Sequence, residues 1–386
     1  MSAPQSRIRF RTDFEKHCLT NSFTKRGWTR TGGSDWHFYW ASVGSVRQLF
    51  SGEKRRLTDT QIVNHFPGHY ELTRKDMMHK NMKKYAKEFQ KTHPDPVTNY
   101  VPHSFSLPSE YTLVEDAFRK NPKAVWIVKP TNRAQGKGIQ IVSKLAQIKR
   151  FSHGRGVSSR SDQYIITRYI DRPMLIGGKK FDLRLYVLVV SFRPLKCYIY
   201  QNGFCRLCSV PYSYALSDLD NSFAHLTNVA IQKHGQDYNR DNGGKWHIEN
   251  LRTYLEATKG SEATNLVFEK IEYIITASLL AVQSAVGYDR HCFECYGYDL
   301  MIDDELRPWL IEVNASPSLS SSTLADRIMK NALIDDIIKV VVAPNFPETP
   351  EHRGCTVATT QDTDIGDFVV LYDEAKEKER ENSRKK

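Results

Sequence analysis

No stretch of this chain is apolar enough to cross a bilayer as a helix. The nearly apolar runs Leu185 to Phe192 and Ile337 to Ala343 fall far short of the roughly 20 residues needed. The first residues, with Arg7, Arg9 and Arg11, lack the apolar centre of a secretory signal, and Ser383-Arg384-Lys385-Lys386 is not a lipidation box. Neither secretion nor a membrane anchor is expected. Cysteine is sparse: seven residues, an odd and scattered set, which suits reduced thiols of a cytoplasmic protein better than a disulfide framework. Also missing are GxxxxGK[ST], GxGxxG and the HRD and DFG triplets, so VWIVK at 125–129 belongs to neither a P-loop protein nor a protein kinase. Internal repeats are absent. Low complexity is confined to Glu374–Lys386, whose alternating charges read as a solvated or frayed tail.

What is present is a 386-residue chain, 40% apolar and 26% charged, long enough for two or three cores. Its charge is lopsided. Residues 1–200 carry 36 basic and 15 acidic side chains, net +21, whereas residues 201–386 carry 19 and 29, net -10. A basic front half predicts a polyanionic partner: nucleic acid, an acidic membrane, nucleotide phosphates or an acidic protein tail. No short strand interleaves aromatic and basic residues as an RNA-binding sheet does, so nucleic acid is disfavoured.

A lysine-rich helical segment, Leu72 to Lys91, is broken by His93-Pro94-Asp95-Pro96, which places a domain boundary near residue 95. Strands are expected at Ala124–Lys129, Gly138–Val142, Gln163–Ile170 and Phe181–Ser191. A long amphipathic helix follows at Glu262–Val286, on Leu266, Ile271, Ile274, Ile275, Leu279 and Val282, then two strands and a helix at Leu324–Val341. Strands and helices do not alternate strictly, so α+β is favoured over a doubly wound sheet.

Three constellations carry chemistry. In Glu294 to Pro317, strands Tyr296–Ile302 and Pro308–Val313 flank the turn signal Asp303-Asp304-Glu305. If Asp304 pairs with Arg307, Asp299 lies opposite Glu312, with Asn314 on the same face. Opposed Cβ atoms are about 5 Å apart, so two carboxylates and an amide could share a hard cation such as Mg²⁺. Solvated acids on an outer face are the bland alternative, but Tyr298, Leu300, Leu310 and Ile311 surround them. Second, Lys129 ends a strand before Gln135-Gly136-Lys137-Gly138, where a cation and close-approaching backbone could meet phosphates. Third, Lys180, Asp182, Arg184 and Tyr186 share one strand face, either a surface charge ladder or the wall of an anion site. Arg206 and the run His225-Leu226-Thr227-Asn228 add polar groups. Zinc at Cys205/Cys208 and Cys292/Cys295 is disfavoured, because the pairs are far apart and positions i and i+3 of a strand face opposite ways. His65 and His69, split by Pro67, make a doubtful helical metal face.

Together and in this order, these features resemble the tubulin tyrosine ligase-like family. The resemblance covers about Arg26 to Val342. It rests on NHFPGHYELTRKD at 64–76, WIVKP and AQGKGI within 126–139, LIGGKKFDLRLYVLV at 175–189, GFCRLC at 203–208, HLTNVAIQKHG at 225–235, GGKW at 243–246 and CFECYGYDLMIDDELRPWLIEVNASPSLSSST at 292–323. It implies an ATP-grasp fold with a basic N-terminal domain (1–95), a central domain (96–180), a C-terminal domain bearing the metal hairpin (181–345) and a loosely ordered tail (346–386). It also implies that Lys129, Gln135, Gly136, Thr167, Arg168, Tyr169, Ile170, Lys180, Phe181, Asp182, Thr227 and Asn228 bind ATP. Asp299, Glu312 and Asn314 would hold Mg²⁺, Arg184 and Lys75 would act in catalysis, and Gln135, Arg206 and Lys245 would bind substrates. Thr167 stands where many relatives have Gln.

The implied activity is ATP-dependent glutamylation of acidic tubulin tails. An acyl phosphate formed on a tail carboxylate would be displaced by the amine of free L-glutamate, as in the catalytic subunit of a polyglutamylase complex. Such a protein would work with partner subunits in the cytoplasm and cytoskeleton, at the axoneme and basal body of cilia and flagella, with no nucleic acid or membrane as partner. Glycylation or tyrosination is the alternative within the enzyme class, and a non-catalytic microtubule-binding subunit is the alternative outside it.

Overall fold

The computed structural model describes residues 8–51, 57–89, 91, 100–131, 135–152, 163–238, 243–342, 346 and 364–384. The proline break at 93–96 and Ala134 of the glycine loop lie outside the described residues. No described helix is long and apolar enough to cross a membrane.

Among the described residues helices and three sheets are mixed. The first sheet is parallel, in the spatial order Thr29–Arg30, Arg9–Thr12, Phe38–Trp40, Ile62–Val63. The second is antiparallel, in the order Ser104–Leu107, Tyr164–Arg168, Trp126–Pro130, Gln140–Val142. The third and largest is organised around one strand, Lys179–Phe192. That strand pairs antiparallel with Phe204–Leu207 and Leu195–Tyr200 along its length, and with Glu294–Ile302 of the hairpin.

The spine strand owes its position to being apolar on both faces over most of its length. Phe181, Leu183, Leu185, Val187 and Val189 enter a core shared with the helices Lys75–Phe89, Ile248–Lys259 and Ser261–Val282. Tyr186, Leu188 and Val190 enter a second core with the first sheet and the helix Leu324–Val341. Lys180, Asp182 and Arg184 continue that second face, and here the apolar layer gives way to charge, buried at Lys180 and Asp182 and partly buried at Arg184. The surface ladder considered from the sequence is therefore excluded.

Three local expectations need correction. The segment from Leu72 is two helices, Tyr70–Thr73 and Lys75–Phe89, because Arg74 adopts extended backbone between them. This break starts a new helix at Lys75 and directs its side chain at the hairpin. On Ser261–Val282 the buried stripe runs through Val267, whereas Leu266 is 48% exposed. Val267 stands one turn before Ile271, and Leu266 is rotated off that face.

The third correction concerns the C-terminal segment. Residues within 364–384, expected to be a loose tail, form a strand, Phe368–Asp373, and a helix, Glu374–Arg384. The strand pairs with Leu195–Tyr200 at the sheet edge, and Phe368 is buried against Tyr198 and Tyr200. Charge alternation describes the helix, which has no buried residue, but not the strand before it. Phe368→Ala should lower unfolding stability by about 3 kcal/mol, read from urea denaturation. A loss below about 0.5 kcal/mol would mean the strand is not docked.

Candidate active site

The hairpin Glu294–Ile302 and Pro308–Asn314 joins Asp299 to Glu312, as the alternation predicts, but by a different route. Asp303, not Asp304, closes the turn opposite Arg307, its N–H donating to the Arg307 carbonyl. The Asp303 carboxylate accepts from the N–H groups of Glu305 and Arg307 and from the Trp309 indole, and Leu306 takes a left-handed conformation (φ 61°). This three-residue connection shifts the register near the turn by one. A bulge between Asp299 and Leu300, where Ile311 is the extra residue, shifts it back. The bulge also explains why neighbours Ile311 and Glu312 both line the cleft, which strict alternation forbids.

Pairing across the sheet aligns charge in two rows. Lys245, Arg206 and Asp182 are successive partners in one, and Arg184, Asp299 and Glu312 in the next. Arg184 binds Asp299 through Nε (2.6 Å) and Nη2 (3.0 Å). Arg206 grips Asp182 through Nε (2.7 Å) and Nη2 (2.5 Å) and also reaches Asp299 at 2.9 Å. Burial alone would raise the Asp299 pKa, but the two guanidinium groups hold its carboxyl well below the usual range. Glu312 pairs with Lys75 (2.9 Å), and the Asn314 amide lies 3.3 Å from the Gly297 carbonyl and 3.4 Å from Glu312 Oε1.

Among the described residues no group of three or more His, Cys, Asp or Glu side chains could hold a metal ion. The oxygen set here is instead two carboxylates and one amide. Its chemistry suits a hard divalent cation that keeps water and shares phosphate oxygens.

Above the hairpin opens a cleft. Lys75, Lys129, Gln135, Gly136, Thr167, Arg168, Tyr169, Ile170, Lys180, Asp182, Thr227, Asn228, Asp299 and Glu312 all line it, so one space collects residues predicted from separate segments of the chain. The spine strand and Trp126–Pro130 deliver two of the lysines, Lys180 and Lys129. Burial pushes Lys129 down to about 8, with Lys75 opposing its charge and Glu312, Asp299 and Asp182 favouring it. Lys180 is likewise pushed down to about 8 by burial. Its Nζ donates to the Tyr169 hydroxyl (2.8 Å), which in turn bonds His225 Nδ1 (2.8 Å). Gln135 (φ 63°) and Gly136 (φ 78°) both turn through left-handed backbone, and a Cβ at Gly136 would fall 2.5 Å from Ile231.

Not every predicted residue meets this space. Phe181 points to the opposite face and is buried in the first core, so its side chain has no route to a ligand in the cleft. Arg184 and Arg206 do not line the cleft, and both pair with Asp299, which does. Lys245 is turned to Asp326 (2.7 Å), a buried carboxylate that also binds Lys330 (2.9 Å). The six described cysteines are all buried, and the two histidines of the NHFPGH segment are engaged locally, His65 by Glu294 (2.9 Å) and His69 by Thr73 (3.1 Å).

Sequence reasoning missed the apolar walls Ile127, Ile139, Leu226 and Met301, and the ring of His79. Two of them had a signal: Ile127 and Met301 stand two residues from Lys129 and Asp299 on the same strands and hence on the same faces. His79 had one only in its spacing of one turn from Lys75.

The profile of the tubulin-tyrosine ligase family matches residues 53–350. A protein of Tetrahymena thermophila, "Probable alpha-tubulin polyglutamylase Ttll1", is 46% identical over 391 residues, covering 96% of this chain and 94% of its own. "Probable tubulin polyglutamylase TTLL9" of Bos taurus is 37% identical over 369 residues, 86% and 79% of the two chains. "Probable tubulin polyglutamylase ttll-9" of Caenorhabditis elegans is 38% identical over 334 residues, 84% and 79%.

Proposed function

Because the chain belongs to the tubulin-tyrosine ligase family, we propose that it is an ATP-dependent ligase that joins free L-glutamate to glutamate side chains of tubulin tails, on an ATP-grasp fold. One observation carries the chemical part of this reading. The paired carboxylates Asp299 and Glu312 sit at the floor of a cleft that also holds Lys75, Lys129 and Lys180.

A tail carboxylate attacks the γ-phosphorus of ATP, releasing ADP and giving an acyl phosphate. The amine of glutamate then attacks the acyl carbon, phosphate leaves, and the nitrogen gives up a proton as the isopeptide bond forms. Both steps concentrate negative charge, and preset cations lower their barriers because no reorganisation is needed at the moment of reaction. Lys129 and Lys180 supply such charge to phosphate oxygens, and Lys75 supplies it from the N-terminal side. Asp299, Glu312 and Asn314 would hold Mg²⁺, which when bound neutralises phosphate charge. Arg184 and Arg206 keep Asp299 ionised and fix its direction. Thr227 donates to Asp182 (2.6 Å), fixing that carboxylate as well. The basic front half steers the acidic acceptor toward the cleft, an effect that salt weakens. Partner subunits and a place on the microtubule cytoskeleton, including axoneme and basal body, belong to this reading.

The decisive experiment is mass spectrometry of acidic-tail peptides incubated with the chain, Mg-ATP, candidate partner subunits and each candidate amino acid. A mass increment of one or more glutamates supports the proposal, whereas increments of glycine or tyrosine alone replace the donor. No increment under any condition, with ADP still bound, favours a non-catalytic role.

The two lysines also predict a pH dependence. Each is cationic below about pH 8 and neutral above it, and only the cation attracts phosphate. ADP affinity measured by calorimetry should be level below pH 7 and fall above pH 8, by up to about tenfold per unit for each amine lost. Binding at pH 8 to 9 should take up protons. Equal affinity at pH 7 and 9.5 would contradict the assignment.

A further inference from the structure

His79 lies one turn beyond Lys75 on the helix Lys75–Phe89, on the same face. It lines the cleft although only 5% exposed. Its Nδ1 is 2.9 Å from the hydroxyl of Ser104, which pairs with Thr167 on the neighbouring strand of the second sheet. The ring therefore bridges the helix that carries Lys75 and the sheet that carries Lys129 and the Thr167–Ile170 segment.

The Ser104 contact allows either tautomer; where the hydroxyl donates to Nδ1, the ring proton lies on Nε2. Among the described residues Nε2 has no hydrogen-bond partner. The atom is not one of the fully enclosed polar atoms among the described residues, so it is open to what enters the cleft that His79 lines. Burial first, and then the charges of Lys129, Lys83 and Lys75, push this imidazole down to about 3, so it is neutral at any working pH. Neutrality has a use here. An uncharged ring adds a directed N–H donor where a further cation would repel the lysines already gathered around the cleft.

We propose that His79 contacts the nucleotide, its Nε2–H donating to ATP bound in the cleft. The proposal rests on the reading of the cleft as an ATP site.

The test is calorimetric titration of the full chain with Mg-ADP, comparing the unaltered protein with His79→Ala and His79→Gln, folding being checked by circular dichroism. Loss of one hydrogen bond to a charged ligand should weaken binding about tenfold or more in His79→Ala, with partial recovery in His79→Gln, whose amide keeps an N–H. A second measurement needs no variant. The ¹⁵N and ¹H resonances of the His79 ring should report the Nε2–H tautomer between pH 5.5 and 7.5 and move when ADP is added. Failure of the unaltered chain to bind ADP would overturn the ATP reading and this proposal with it. Firm ADP binding with affinity unchanged within twofold in His79→Ala would overturn only the role of His79. If that variant does not fold, ring resonances that ADP leaves unmoved decide against it.

Discussion

Glu312→Gln should lower glutamate transfer to acidic-tail peptides by at least about a hundredfold, while the chain keeps its fold and binds ADP within about fivefold of the unaltered protein. The substitution preserves the size of the side chain and removes its charge. In the structure that charge is matched by Lys75 at 2.9 Å. In the reaction it would hold, with Asp299, the ion that screens the transferred phosphate. Removing one preorganised electrostatic group from a water-poor site typically costs between a hundred- and a thousandfold in rate. Binding should suffer less, because Lys129, Lys180 and the walls of the cleft are untouched. Transfer rates from mass spectrometry, set beside calorimetric ADP affinities of the same preparation, check this. Transfer reduced by less than about threefold would remove the hairpin carboxylates from the mechanism and favour a binding role for the protein.

Arg206→Ala should be the more damaging change to the fold. Its guanidinium ties Asp182 and Asp299 together, and all three side chains are buried. Arg184 still faces Asp299 and Thr227 still donates to Asp182, but Asp182 loses its guanidinium partner altogether. Breaking a buried ion pair from one side costs about 3 to 5 kcal/mol, chiefly because a charge is left behind without compensation. Urea denaturation should register that loss. The double variant Arg206→Ala, Asp182→Asn should recover part of it, since the orphaned charge is gone. Additive losses in the double variant would mean that the two side chains do not act as a pair. Arg206→Lys should fall in between, because an ammonium cannot bridge two carboxylates in the forked manner of a guanidinium.

Much of the site is legible in the sequence, and the hairpin illustrates both how and how far. Period-two alternation puts Asp299 opposite Glu312 with Asn314 beside them, and the sheet has that pairing. The turn escapes the same reasoning, because the Asp303 side chain selects a three-residue connection and the Ile311 bulge then cancels the resulting slip. Two departures from ideal geometry compensate each other, and neither has a strong sequence signature. The C-terminal strand is hidden for another reason: the helix after it is so charged that composition averaged over the segment masks one buried phenylalanine.

By itself the sequence determined which residues share a strand face away from the Ile311 bulge, where the helices Ser261–Val282 and Leu324–Val341 run to within a few residues, and that the front half is cationic. These follow from backbone periodicity and composition, which act over short stretches of chain. Only the tertiary structure decided that Lys75 meets Glu312, that Arg206 clamps Asp182 to Asp299, and that His79 stands neutral among three lysines. Contacts between segments tens to hundreds of residues apart depend on how whole layers pack. Desolvation, which sets the charge of the buried groups, exists only once those layers have closed.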